Sequence, residues 1–122
     1  MYKQFLITTV ILAFLSVNTK AQGITGKWIA PGNVVIQFYE DGQTFNAKQI
    51  SAETEKDKIG NNKLVAKGLR VTSTNVYEGT VIDPKDDKNY KGTFIINKQG
   101  NQLELKVKWG FMSFKEIWKR DK

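Results

Sequence analysis

Gly26-Lys27-Trp28 and Trp118-Lys119-Arg120 stand at the two ends of a run of short alternating segments, and reading them together decides the fold. Each sets a tryptophan beside basic residues on a β-like stretch, and what lies between is β-like almost throughout. First and last strands of matching character imply that the two edges of the sheet meet and the chain closes into a small barrel. Closure also removes the open edges that otherwise template aggregation.

Between these ends, apolar residues recur with a period of two, and amphipathic helical spacing is missing. Gly26 to Ala30 reads as a first strand broken by Pro31-Gly32, and Asn33 to Glu40 as a second with Val34, Ile36 and Phe38 on one face. Asp41-Gly42 between two β-like runs is a hairpin signal, so Gln43 to Ile50 returns antiparallel with Phe45 and Ala47 on one face. Ser51 to Asn62 is polar and aperiodic, an exposed loop with room for one helical turn between Ala52 and Lys58; Lys63 to Thr72 holds one irregular strand or two short ones around Gly68. Asn75 to Asp83 and Asn89 to Asn97 alternate clearly. Gln102 to Trp109 sets Leu103, Leu105, Val107 and Trp109 against Glu104, Lys106 and Lys108, the pattern of a half-buried strand, and Ser113 to Arg120 ends the series. The expected fold class is all-β: a single small antiparallel up-and-down barrel of about eight strands.

The N-terminus reads as a targeting segment. Lys3 precedes a 13-residue largely apolar stretch, Phe5 to Val17, and Thr19 and Ala21 supply small side chains where a signal peptidase cleaves. The stretch falls short of the roughly 20 residues that cross a bilayer, so residues 1–21 are expected to leave as a signal peptide, with no transmembrane anchor remaining. Residues 22–122 then form one domain with 17 Lys and Arg against 12 Asp and Glu, a net charge of +5. The chain has no cysteine, and so neither a lipidation site nor a disulfide framework. The expected location is the bacterial periplasm or the exterior.

Two resemblances follow. Gly26-x-Trp28 on the first strand with Arg120 at the end of the last resembles the closure device of lipocalin and calycin barrels, which implies that Arg120 packs across Trp28, with Trp118 alongside as part of the closure, in a cation–π contact. Those ends, together with Asp41-Gly42, Gly79-Thr80-Val81-Ile82-Asp83-Pro84, Tyr90, Leu103-Glu104-Leu105-Lys106-Val107 and Gly110, also resemble an uncharacterised family of small secreted bacterial domains regarded as lipocalin-like. Members of that family often carry a cysteine pair in the long loop, which this chain lacks. The resemblance implies fold and export and supplies no activity.

The residues for catalysis are scarce. There is no histidine, which removes the commonest general base and metal ligand together, and with no cysteine a zinc site has no ligand set. Ser51, Ser73 and Ser113 lie in no nucleophile elbow. Glu116 shares a face with Phe114 and Trp118, so it is expected to point inward and pair with Arg120 or Lys27. Asp83-Pro84-Lys85-Asp86-Asp87 lacks the alternate oxygen ligands of a calcium loop and reads as a capped turn. No metal, cofactor or enzymatic activity is expected.

The sequence therefore points to a binding protein for a small apolar or cell-envelope ligand, with Tyr77, Tyr90, Phe94 and Trp109 as pocket walls. So many bulky inward groups in a short barrel favour a filled interior over a lipid-sized cavity, with any ligand small or held at the rim near Asp41-Gly42 and the 51–62 loop. Lys91, Lys106, Lys108, Lys115 and Lys119 fall on the outer face. Export argues against nucleic acid, which leaves an anionic envelope component as the partner such a face would suit. The alternative function is a protein–protein or inhibitor module using that lysine face or the 51–62 loop.

Overall fold

The computed structural model describes residues 23–121, and the expected signal peptide lies outside them. Eight strands run in chain order: β1 (Gly26–Ala30), β2 (Val34–Asp41), β3 (Thr44–Ser51), β4 (Leu64–Ser73), β5 (Val76–Ile82), β6 (Asn89–Ile96), β7 (Gln102–Trp109) and β8 (Met112–Arg120). Each pairs antiparallel with its chain neighbours, and β8 returns to β1 to close the barrel. One turn of helix, α1 (Glu55–Lys58), interrupts the loop between β3 and β4; Thr54 caps it by accepting from the Asp57 backbone N–H at 3.1 Å.

Local chemistry explains the turns. Gly42 follows β2 with φ +65°, the left-handed region that a tight hairpin demands, and Thr44 Oγ1 donates to the Asp41 carbonyl at 3.0 Å. The irregular segment around Gly68 is a single ten-residue strand, β4, whose register against β5 slips between Lys67 and Arg70 and again between Val71 and Ser73. Gly68 supplies the positive φ at this bulge, and its N–H, lost to the ladder, donates to Asn46 Oδ1 at 3.0 Å.

Consecutive antiparallel strands put alternate turns at opposite ends. The N-terminal segment, the β2–β3 and β6–β7 turns and the C-terminus share one end, which is closed. Ile24 is fully buried there as a plug, and the Trp28 indole N–H donates to its carbonyl at 2.9 Å. The Arg120 guanidinium lies over the Trp28 ring, 4.2 Å from its centroid. Its Nε donates to Gly100 O at 2.7 Å, Nη2 to Gly23 O at 2.7 Å and Nη1 to Thr25 O at 3.2 Å. Burial draws its pKa below the ordinary arginine value, partly offset by Tyr77, and the group stays charged.

Above this plug the interior is solid. Phe38, Phe94 and Trp118 interlock, with ring centroids 5.3 Å apart for Phe38–Phe94, 5.7 Å for Phe94–Trp118 and 6.1 Å for Phe38–Trp118. Leu69, Leu103, Ala47 and Ala66 complete the layer, each fully buried. Two glycines paired across β5 and β6, Gly79 and Gly92, set how closely this wall packs. A Cβ on Gly92 would run into Val81 Cγ2, and one on Gly79 would stand 2.8 Å from Leu69 Cδ2, so neighbouring side chains occupy the space these glycines leave.

Two substitutions test this account. Arg120→Ala lowers the unfolding free energy by about 2–4 kcal/mol in urea denaturation, and Arg120→Lys recovers less than half of it, because an ammonium cannot reach three carbonyls from a plane stacked on the indole. Gly92→Ala costs about 1–3 kcal/mol through overpacking, and combining it with Val81→Ala costs less than the two single losses added together. Full rescue by lysine, or strict additivity in the pair, contradicts the packing described.

Candidate functional site

The other end of the barrel is open. It gathers the β1–β2 turn at Pro31, the loop carrying α1, the β5–β6 loop at Asp83-Pro84 and the β7–β8 turn at Gly110, and between them lies a cavity of about 480 Å³. That volume falls within the range of small-molecule sites. The barrel is thus filled in one half and hollow in the other, a division the count of bulky inward residues does not reveal.

Trp118, the top of the aromatic layer, is the floor. The walls are mostly aliphatic: Ala30 and Val34 from the first hairpin, Ile36, Val65, Val81, Leu105 and Val107 from the strands. At the mouth stand Tyr90, Trp109 and Phe114, with the Tyr90 and Trp109 rings 6.1 Å apart and tilted by 55°. Of the four residues read as pocket walls, Tyr90 and Trp109 lie on this cavity, whereas Tyr77 and Phe94 are in the filled half. Phe94 is locked in the aromatic layer, and Tyr77 stacks edge-on against Phe45 at 5.4 Å.

Few polar groups enter. Glu116 faces the cavity, and its Oε1 accepts from the Trp118 indole N–H at 2.7 Å. The expected partners, Arg120 and Lys27, do not reach it. Arg120 is committed to three carbonyls at the closed end, and among the described residues no cation lies within 4.0 Å of Glu116. Gln49 is the other inward polar group, 3% exposed. Its Nε2 donates to Asp57 O at 2.8 Å and Asn61 Oδ1 at 3.0 Å, which ties the long loop to β3.

One side of the mouth is laced shut. Lys85 Nζ sits 3.3 Å from Asp57 Oδ1, and Lys63 Nζ donates to Pro84 O at 3.1 Å. Gly60 packs against Pro84 so tightly that a Cβ would come within 2.8 Å of it. Asp83 Oδ1 accepts from Lys85 N at 2.9 Å and Asp86 Oδ1 from Lys88 N at 3.0 Å, so these carboxylates cap their own turn. No group of three or more potential ligand side chains among the described residues is placed to hold a metal ion.

The geometry corrects one expectation. The Asp41-Gly42 hairpin and the 51–62 loop cannot form a common rim, because turns one apart in an up-and-down barrel lie at opposite ends. The same parity rule, applied to the sequence, would have grouped Pro31, the long loop, Asp83-Pro84 and Gly110 at one mouth. Gln49 and Glu116 carried a weaker signal, a polar residue at an inward position of an otherwise apolar alternation.

The family model described as "Uncharacterized protein conserved in bacteria (DUF2147)" matches residues 26–120. A search of curated proteins finds no match. Among solved structures, the barrel is similar to protein HP1028 from the human pathogen Helicobacter pylori, described as belonging to the lipocalin family. The TM-score is 0.66 at 23% identity, covering 81% of this chain and 83% of that one. At that identity the likeness is one of fold. Since the family match runs from the first residue of β1 to the last of β8, the chain belongs to the DUF2147 family of bacterial proteins, built on a lipocalin-like barrel.

Proposed function

We propose that the protein is an exported carrier or sensor that takes a small, largely apolar ligand into the open-end cavity and does not transform it. The observation that carries this reading is a barrel hollow in one half only, with mostly aliphatic walls, a mouth lined by Tyr90, Trp109 and Phe114 on one side and Asp57, Asp83 and Lys85 on the other, and Glu116 beside its tryptophan floor. The lipocalin-like fold supports binding as the use of such a cavity. The two interior polar side chains differ in availability: Gln49 spends its amide N–H groups on the long loop, while Glu116 keeps an oxygen beyond its bond to Trp118. A ligand with an apolar body and a neutral donor or cationic head suits this interior, and a carboxylate head is repelled by Glu116.

Export is part of the proposal. Its support is the apolar stretch Phe5 to Val17 followed by Thr19 and Ala21, together with a cysteine-free chain that needs no reducing compartment.

Two measurements test these statements. In titrations of the purified protein with N-phenyl-1-naphthylamine, Val107→Phe, which puts a ring into the cavity, weakens binding by about tenfold or more. In the same series Glu116→Gln, which keeps an acceptor for the Trp118 N–H, strengthens binding of a fatty-acid anion by about 5–10-fold relative to the corresponding alcohol. Equal affinities in all variants remove the cavity as the site. Separately, N-terminal sequencing of protein recovered from outside the inner membrane starts at Gln22; a chain retained in the cytoplasm with Met1 intact refutes export.

A further inference from the structure

The β7–β8 hairpin rises at the open mouth as an apolar tip. Phe111 is fully exposed at its apex, and Trp109, Met112 and Phe114 are 51%, 55% and 44% exposed around it. Gly110, with φ +65°, forms the turn that thrusts Phe111 outward, away from the core. Nothing in the barrel's packing calls for a phenylalanine there, and its exposure carries a solvation cost.

Behind the tip, on the outer face, the registers line up lysines in two rows. Lys91 on β6 is directly opposite Lys108 on β7, and Lys106 on β7 is directly opposite Lys115 on β8. Like charges facing one another across a ladder destabilise a sheet. On the far side of the mouth Lys58, Lys63 and Lys85 each lie within 4.0 Å of a carboxylate. Lys91, Lys106 and Lys108 have none that close among the described residues, and Lys115 has only Glu104 at 4.0 Å. Positive charge without an ion-pair partner among the described residues thus lies on β6 and β7 directly behind the apolar tip.

We propose that this hairpin docks the protein on an anionic lipid bilayer, with Phe111 and its apolar neighbours entering the interface and the two lysine rows meeting headgroup phosphates. The order along the hairpin carries the choice of occupant. Lys108 is paired with Ser113, and Phe111 lies two residues beyond Ser113, so the apex stands at most about 7 Å past the Lys108 level at the strand rise of roughly 3.4 Å per residue, enough to enter the interface while the lysines sit among the headgroups. A soluble polyanion would match the lysines and leave the apex unexplained. Long lysine stems can lean back to the headgroups while the tip is inserted. Docked in this way, the mouth lined by Trp109 and Phe114 opens beside the bilayer, although the docking itself does not depend on what the cavity holds.

The test is flotation of the purified protein with phosphatidylcholine vesicles, with and without phosphatidylglycerol, alongside tryptophan emission. Trp28 and Trp118 are 0% and 5% exposed, so an emission shift reports Trp109. The expected result is binding and a blue shift only with the anionic vesicles, weakened by added salt. Phe111→Ser, at a fully exposed turn, reduces this binding by about tenfold or more, and Lys106→Glu with Lys108→Glu reduces it by at least as much. Absence of binding, equal binding to neutral vesicles, or binding lost with the lysines but untouched by Phe111→Ser overturns the proposal. Absence of vesicle binding by the unaltered protein while it still binds naphthylamine overturns the docking alone.

Discussion

The structure depends on one seam. Seven of the eight strand junctions are hairpin-linked neighbours, but the eighth must bring the two ends of the chain together. Its register comprises only Trp28 opposite Arg120 and Ile29 opposite Lys119. Arg120 strengthens this thin contact, stacking on the indole while its in-plane N–H groups bind carbonyls of Gly23, Thr25 and Gly100. One side chain thereby joins β8, β1, the N-terminal plug and the β6–β7 turn. The same contacts satisfy carbonyls on either side of the buried Ile24, where the chain enters the barrel.

Closing one end solidly frees the other. The Phe38–Phe94–Trp118 layer and the buried plug hold the barrel's shape in its lower half, so the upper half can remain hollow without collapsing. The mouth is asymmetric in the same spirit. On one side, Gln49, Lys63, Lys85 and the Gly60–Pro84 contact bind two loops into a rigid wall; on the other, the β7–β8 hairpin stands free with its apolar tip. A rigid wall facing an exposed apolar edge gives the cavity a direction of approach.

Much of this was legible in the sequence. Alternation in β2, β6 and β7, the Asp41-Gly42 turn and the paired tryptophans at the two ends specify strands, inward faces and closure, because they depend on local period and turn chemistry. The site was less legible. Tyr77 and Phe94 share the inward face with Tyr90, yet they sit at a different height in the barrel, and a period of two reports face and not height. Glu116 was identified as inward, but its partner is the neighbouring Trp118 and not the arginine at the chain's end, a choice made by side-chain reach.

By itself, then, the sequence determined an all-β barrel with Trp28 and Arg120 at its closure and a set of inward residues, because each of these follows from spacing along one strand or one turn. Only the tertiary structure decided which inward residues fill space and which border it. That outcome depends on the volumes of side chains brought together from eight strands at each level of the barrel, and on which ends of those strands the loops cover.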